Sequence, residues 1–181
     1  SGQAQLNDAI ASNIVGDMGI EGGALNVGLS EEGVTARGDI KIKGVPAEIF
    51  WQRVFYAADE EQPPIQVSAN LDENLRKQLG IKVNHLVKGT VPLTLFVKGL
   101  GQGTQQLSME ADLGNAELLF DSMGWTKPAG KAAKVSFDVD QQDDGSTGLD
   151  NFKIIGDDIA VHGKIALGPE QQLKSFYFSD F

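Results

Sequence analysis

Residues Ile81–Val97 read IKVNHLVKGTVPLTLFV, and across these seventeen positions apolar and polar residues alternate almost without a break. Ile81, Val83, Val87, Val91, Leu93, Leu95 and Val97 stand at odd positions, while Lys82, Asn84, Lys88, Thr90, Thr94 and Lys98 fall on the even side. Successive side chains of a strand point to opposite faces, so a period of two predicts one long half-buried strand, apolar on one side and wet on the other.

The same period returns outward in both directions. Toward the N-terminus, Leu25, Val27 and Leu29 alternate, Ser30–Gly33 reads as a turn, and Val34, Ala36, Ile40 and Ile42 resume the pattern as a hairpin. The stretch from Val45 to Leu71 admits a helix through Ile49, Phe50, Trp51, Val54 and Phe55. Its aromatic enrichment and the polar Asp59–Pro64 turn before Ile65, Val67 and Ala69 favour a second hairpin. Asp72–Leu79 is the clearest helix, with Asp72 as cap, Leu75 and Leu79 on one face and Gly80 as the stop. Leu6–Met18 mixes Asn, Asp, Ala and Ile and reads as a short helix or an irregular lead-in.

Toward the C-terminus a glycine-rich turn is expected over Gly99–Gly103, followed by alternation at Leu107, Met109, Ala111 and Leu113 and again at Ala116, Leu118 and Phe120. Asp121–Gly130 reads as a loop. Val135, Phe137 and Val139, then Phe152 and Ile154, then Ile159, Val161, Ile165 and Leu167, and finally Leu173–Phe178 continue the strands. About ten to twelve strands result, with no helical crossovers between them, so neighbours are expected to pair antiparallel. The fold class is mainly β: an antiparallel meander forming a curved, partly open, groove-like sheet, or a barrel or sandwich, with one or two short helices. Alternation alone does not choose among these closures.

Composition bounds the rest. The 181 residues fit a single β-rich segment over 1–181. Ser1 and Gly2 read as an added remnant, and the ending SFYFSDF reads as that of a piece excised from a larger protein. Twenty-two glycines punctuate turns. A net charge of −10 with no basic stripe argues against nucleic acid as a partner. Cysteine is absent, so disulfides, thiolate metal sites and thiol catalysis are excluded. The start SGQAQLNDAI has no signal-peptide pattern, and no apolar run reaches the roughly 18 residues of a membrane helix.

Chemistry-bearing groups are sparse. His85 is expected on the apolar side of the central strand and His162 on the solvent side, too far apart in sequence to suggest a metal site. Serines lack a nucleophile elbow. Asp138, Asp140, Asp143 and Asp144 before Gly145 miss the calcium-loop spacing, and Asp157-Asp158 reads as a hairpin tip. Trp125 with Lys127-Pro128 either plugs the end of the core or presents a surface, the plug being favoured. No catalytic residue, metal site or cofactor is expected, and the chain reads as a non-enzyme.

The helix DENLRKQLG leading into the alternating stretch, the segment AELLFDSMGWTKPAGKAAKVSFDV, and LDNFKIIGDDIAVHGKIAL followed by an F-x-F strand together resemble the AsmA-like superfamily, in particular its DUF3971 (YhdP-type) members of Gram-negative bacteria. The resemblance spans about residues 25 to 181. It implies a periplasmic location, an inner-membrane anchor in a segment absent here, and a β-groove carrying phospholipid acyl chains between the membranes in support of outer-membrane homeostasis. The partners implied are those acyl chains and the remaining segments of the full-length protein. The expected groove floor is Val83, Val87, Val91, Leu93, Leu95, Val135, Phe137, Val139, Ile159, Val161 and Ile165. The rival reading is a carbohydrate-binding or adhesive β-sandwich with a closed core, in which Trp51, Tyr56 or Trp125 stacks on sugar.

Overall fold

The computed structural model of the chain describes residues 1–15, 18–99, 105–120, 124–170 and 172–180. The strands are β1 (Gly2–Asn7), β2 (Ile10–Val15), β3 (Met18–Glu21), β4 (Gly23–Leu29), β5 (Gly33–Ile42), β6 (Val45–Val54), β7 (Ile65–Leu71), β8 (Val87–Lys88), β9 (Val91–Lys98), β10 (Gln106–Asp112), β11 (Glu117–Phe120), β12 (Trp125–Lys127), β13 (Ala133–Gln141), β14 (Thr147–Gly156), β15 (Ile159–Leu167) and β16 (Leu173–Asp180). Among the described residues one helix, α1 (Glu73–Gln78), and a 3-10 turn over Asp59–Glu61 accompany these strands. The fold is mainly β. Eleven strands follow one hydrogen-bonded order, β1-β4-β5-β6-β7-β9-β10-β13-β14-β15-β16, which does not close on itself. Three excursions leave this meander: the β2–β3 hairpin, the segment carrying α1 and β8, and the β11–β12 hairpin. The last two meet in a small sheet ordered β12-β11-β8.

Contacts group Ser1–Ala69 with Thr94–Leu107 in one unit and Asn70–Leu93 with Ser108–Phe181 in another. In the first, β4 to β7 share a strict register. Leu25, Gly38, Ile49 and Val67 form one cross-strand row, while Asn26, Arg37, Phe50 and Gln66 form the next. The pleat sends the first row to a core that also buries Ile20, Ile40, Val45, Ala47 and Ile65. β5 passes to β6 through Lys43 and Gly44, both at positive φ, as a two-residue hairpin turn requires.

In the second unit Asp72 caps α1, its carboxylate accepting from the backbone N–H groups of Asn74 and Leu75 at 2.9 Å. The helix places Arg76 inward, only 3% exposed. Its guanidinium donates to the carbonyls of Leu71 and Gly89 at 2.8 Å, to that of Val87 at 2.9 Å and to Asn84 Oδ1 at 2.8 Å. Asn84 in turn donates to the Glu73 carbonyl. One cation thus ties the helix to the chain that follows it, each of its three nitrogens meeting an oxygen as a buried guanidinium requires.

That cage corrects the reading of Ile81–Val97 as one strand. The Val83 carbonyl accepts from both the Leu86 and the Val87 N–H at 2.9 Å, so the chain turns over instead of extending. Val87 and Lys88 then pair with Leu118 and Glu117 as β8, and only Val91–Lys98 joins the large sheet. His85 sits exposed in the turn rather than on the apolar side. Two further corrections follow. Leu6–Met18 contributes to β1, β2 and β3 and holds no helix among its described residues, β1 being paired in full with β4. Trp125–Lys127, expected in a loop, is strand β12. Positions 100–103 of the expected glycine-rich turn, and positions 121–123 of the expected loop, lie outside the described residues.

Candidate functional site

Two apolar patches form in the second unit, and the expected groove residues divide between them. The first buries Val91, Ala111, Leu113, Ala116, Leu118 and Ala133, with Val87, Leu93, Phe120, Trp125 and Val135 packed around them. It has two layers: β9, β10 and β13 supply one, and the β8-β11-β12 sheet with its flanking residues supplies the other. Phe120 and Trp125 are cross-strand partners with ring centroids 5.6 Å apart, and they close its side. Trp125 is therefore a half-buried plug, as its place beside a fixed-φ proline suggested. The ammonium of Lys127, 3% exposed, donates to the carbonyls of Ala116 at 2.8 Å, Pro128 at 3.0 Å and Gly114 at 3.4 Å. These hydrogen bonds hold the β11–β12 hairpin shut.

The second patch is built differently. Its buried members are Phe152, Ile154 and Val161, and Val135, Phe137, Ile159, Ile165 and Phe178 pack against them half-exposed. All eight come from β13 to β16, a single layer. Register arranges them in rows: Val135, Ile154 and Val161 in one, and Val139, Leu149, Ile165 and Phe176 in another. Between these rows Phe137 stacks on Phe152 at 6.0 Å and 20°. Phe152 and Phe178 each register with Gly163, whose missing side chain leaves room for the two rings to approach to 6.2 Å.

A β-bulge makes these rows possible. β14 carries one residue more than its neighbours between Leu149 and Phe152, and Asn151 there takes φ 51, a left-handed conformation that asparagine tolerates better than most residues. In a regular strand Leu149 and Phe152, three positions apart, would face opposite ways, and the bulge brings them to one face. Asn151 donates to Asp138 Oδ2 at 2.6 Å, which pins the bulge to β13.

The expected floor is thus placed as follows. Val87, Val91 and Leu93 lie in the two-layer core, Val135 touches both patches, and Phe137, Ile159, Val161 and Ile165 lie in the single-layer patch. Val139 flanks that patch through Leu149. Val83 is half-buried in the turn before β8, and Leu95 belongs to the first unit. Sequence reasoning did not count Leu149, Phe152, Ile154, Phe176 and Phe178 in the floor. Phe152 and Ile154 alternate visibly, and the F-x-F run was the signal for the two distal phenylalanines.

The first unit carries a polar concavity of about 410 Å³ on the wet face of β4–β7, where Phe50 lies among Asn26, Arg37, Asp39, Glu48, Gln66 and Ser68. Asp39 and Glu48 stand directly opposite each other there. Of the aromatics expected to meet sugar, Trp51 is half-buried, and Tyr56 is 91% exposed. Among the described residues no group of three or more His, Cys, Asp or Glu side chains is gathered as a metal would need, and no helix is long and apolar enough to cross a membrane. No family model, no curated protein and no solved structure matches this chain.

Proposed function

We propose that the chain is a non-enzymatic lipid-binding segment of a periplasmic AsmA-like protein, holding phospholipid acyl chains on the β13–β16 face during transport between the inner and outer membranes. The observation that carries this reading is the single-layer patch, in which Val135, Phe137, Ile159, Ile165 and Phe178 lie half-exposed around the buried Phe152, Ile154 and Val161 on one face of one sheet. Contiguous apolar surface of this kind marks a binding site more often than an isolated apolar residue does. Each acyl methylene removed from water there gains about 0.8 kcal/mol, so a tail is held without polar recognition or catalysis. The AsmA-like resemblance supplies the location and the cargo.

The test is native mass spectrometry of the purified chain after incubation with vesicles of phosphatidylethanolamine and phosphatidylglycerol, followed by organic extraction. Phospholipid at fixed stoichiometry, lost in Ile165→Asp but kept in Leu95→Asp, is the expected result. A lipid-free mass, or equal retention by both variants, overturns it. A second reading, a carbohydrate-binding module, is favoured by the concavity at Phe50, where an aromatic ring sits among planar polar side chains. It predicts glycan binding that Phe50→Ala abolishes and Ile165→Asp leaves intact.

A further inference from the structure

The segment between β7 and β9, Asp72–Gly89, reaches beyond its own layer. Lys82, exposed shortly after α1, donates from its ammonium to the Glu170 carbonyl at 3.0 Å, across 88 positions of sequence. Glu170 lies in the turn between β15 and β16, on the border of the single-layer patch. Both residues belong to the second unit. In the sheet order β10, β13 and β14 stand between β9 and β15. Four interstrand steps of about 4.8 Å make roughly 19 Å across a flat sheet, farther than a lysine reaches from β9. The segment and the turn therefore approach each other over those strands. They do so on the apolar side, because the same segment lays Val87 on the first patch and Val135 carries that face on into the second.

Both ends of this crossing are braced. At the base the buried Arg76 guanidinium holds the Leu71, Val87 and Gly89 carbonyls, and the Ile81 N–H closes on the Arg76 carbonyl at 2.8 Å. In the opposite turn the Glu170 N–H donates to Gln172 Oε1 at 3.0 Å and the Gly168 N–H to the Gln172 carbonyl at 2.8 Å. Pro169 stands against Gly145 of the β13–β14 turn, where a Cβ on the glycine would lie 3.5 Å from the proline ring. The bond that joins the two braced ends is an exposed lysine–carbonyl contact, which water replaces at little cost.

We infer that Asp72–Gly89 is a strap across the mouth of the β13–β16 face, fixed at its base by Arg76 and latched at its tip by Lys82, and that parting of tip and turn admits an apolar ligand. For its purpose the strap rests on the acyl-chain reading of that face, while the latch rests on geometry alone. A closed strap shields the half-exposed valine, isoleucine and phenylalanine side chains from other apolar surfaces when no ligand is held.

The chain has no cysteine, so thiols introduced by Lys82→Cys and Glu170→Cys can be bridged selectively with a short, reducible bismaleimide. Uptake of phenylnaphthylamine, a neutral apolar fluorophore, is followed by stopped flow, and its loss in Ile165→Asp marks the β13–β16 face. The bridge is expected to form faster within a chain than between chains. It should slow uptake about tenfold by blocking the local opening, with reduction restoring the rate. In the unbridged chain Lys82→Ala should speed uptake about threefold, the worth of one exposed hydrogen bond. Lys82→Arg keeps a donor and should restore the original rate, and Lys77→Ala, which removes an exposed cation of α1, should not change it. Circular dichroism checks that each variant keeps its strands. Equal uptake by the bridged and the reduced chain, an unchanged rate in Lys82→Ala, bridging no faster within a chain than between chains, or a dye signal that Ile165→Asp leaves intact would each overturn the strap. Gated uptake of dye by a chain that retains no phospholipid would keep the strap and remove the acyl-chain reading.

Discussion

The two apolar patches of the second unit use the same kinds of residue and share Val135, yet one is closed by a second layer and the other is a single layer. The difference lies in what the chain does between sheet strands. Between β7 and β9, and between β10 and β13, it makes excursions that meet as the β8-β11-β12 cover. Between β13, β14, β15 and β16 the connections are short, and among the described residues none of them adds a strand or helix over the patch. Apolar alternation writes a face, and the length of the connections decides whether that face becomes interior.

Arg76 is the sharpest way to break the contrast, because its cage holds the excursion that supplies β8. Arg76→Ala leaves the carbonyls of Leu71, Val87 and Gly89 without their donor, and at about 1–3 kcal/mol for each buried orphan we expect a loss of about 4 kcal/mol. Urea denaturation in a Trp51→Phe background, where Trp125 is the sole indole, measures it. A red-shifted Trp125 emission before unfolding would show the covered patch turned into an open one.

Leu118→Ala comes next. Leu118 is 1% exposed within the two-layer core, and a large-to-small change there costs about 2–5 kcal/mol, whereas Phe176→Ala, at 60% exposure, should cost about 0.5 kcal/mol or less. Equal losses in parallel denaturation curves would mean that the two patches are packed alike. Gly163→Ala falls between them: a Cβ there meets the Tyr177 carbonyl and the Phe178 ring, so strand β16 must shift, at a cost of about 2 kcal/mol. Amide exchange should then speed up in β15 and β16 and stay unchanged in β9 and β10.

The mainly antiparallel character, the hairpins and α1 were legible because each rests on local signals: a period of two, turn residues, and Asp72 before a short helix with Gly80 after it. The cover was not legible. Residues Ile81–Leu86 alternate as well as Val91–Val97 does, and what bends them is a guanidinium five to ten positions upstream in sequence and carbonyls that no pattern of side chains displays. The strands between Gly2 and Glu21 escaped for another reason. Their Ala, Asn, Gln and Gly residues have weak strand preference, and pairing with β4, or of β2 with β3, imposes the conformation. The groove floor was half legible, since alternation assigns faces correctly only up to a bulge. Asn151 resets the parity of β14 and brings Leu149 into line with Phe152.

The smallest expected effect concerns the turns that close the single-layer patch. In the β13–β14 turn Asp144 accepts from the Ser146 hydroxyl at 2.5 Å and the Ser146 N–H at 2.9 Å, and these bonds hold its carboxyl below the ordinary 3.8. A depressed carboxylate contributes stability that is fully present above its unfolded value and is lost as pH falls through the folded one, so the loss lies below pH 3.8. Across the β14–β15 turn the sign reverses. Lys131, bonded to the Asp158 carboxylate, is raised above 10.5, so its contribution is present below that pH and is lost as pH rises beyond it. Both groups are exposed and solvent-screened, so each effect is small. Unfolding midpoints followed from pH 6 downward should show Asp144→Asn flattening the acid limb most and Ser146→Ala flattening it in part, because Ser146→Ala removes the hydroxyl bond to the carboxylate and keeps the backbone N–H bond. If only Asp144→Asn flattens it, the backbone N–H bond and the charge, rather than the Ser146 hydroxyl, are what that hairpin uses. The first turn of the single-layer patch would then be held without help from that hydroxyl.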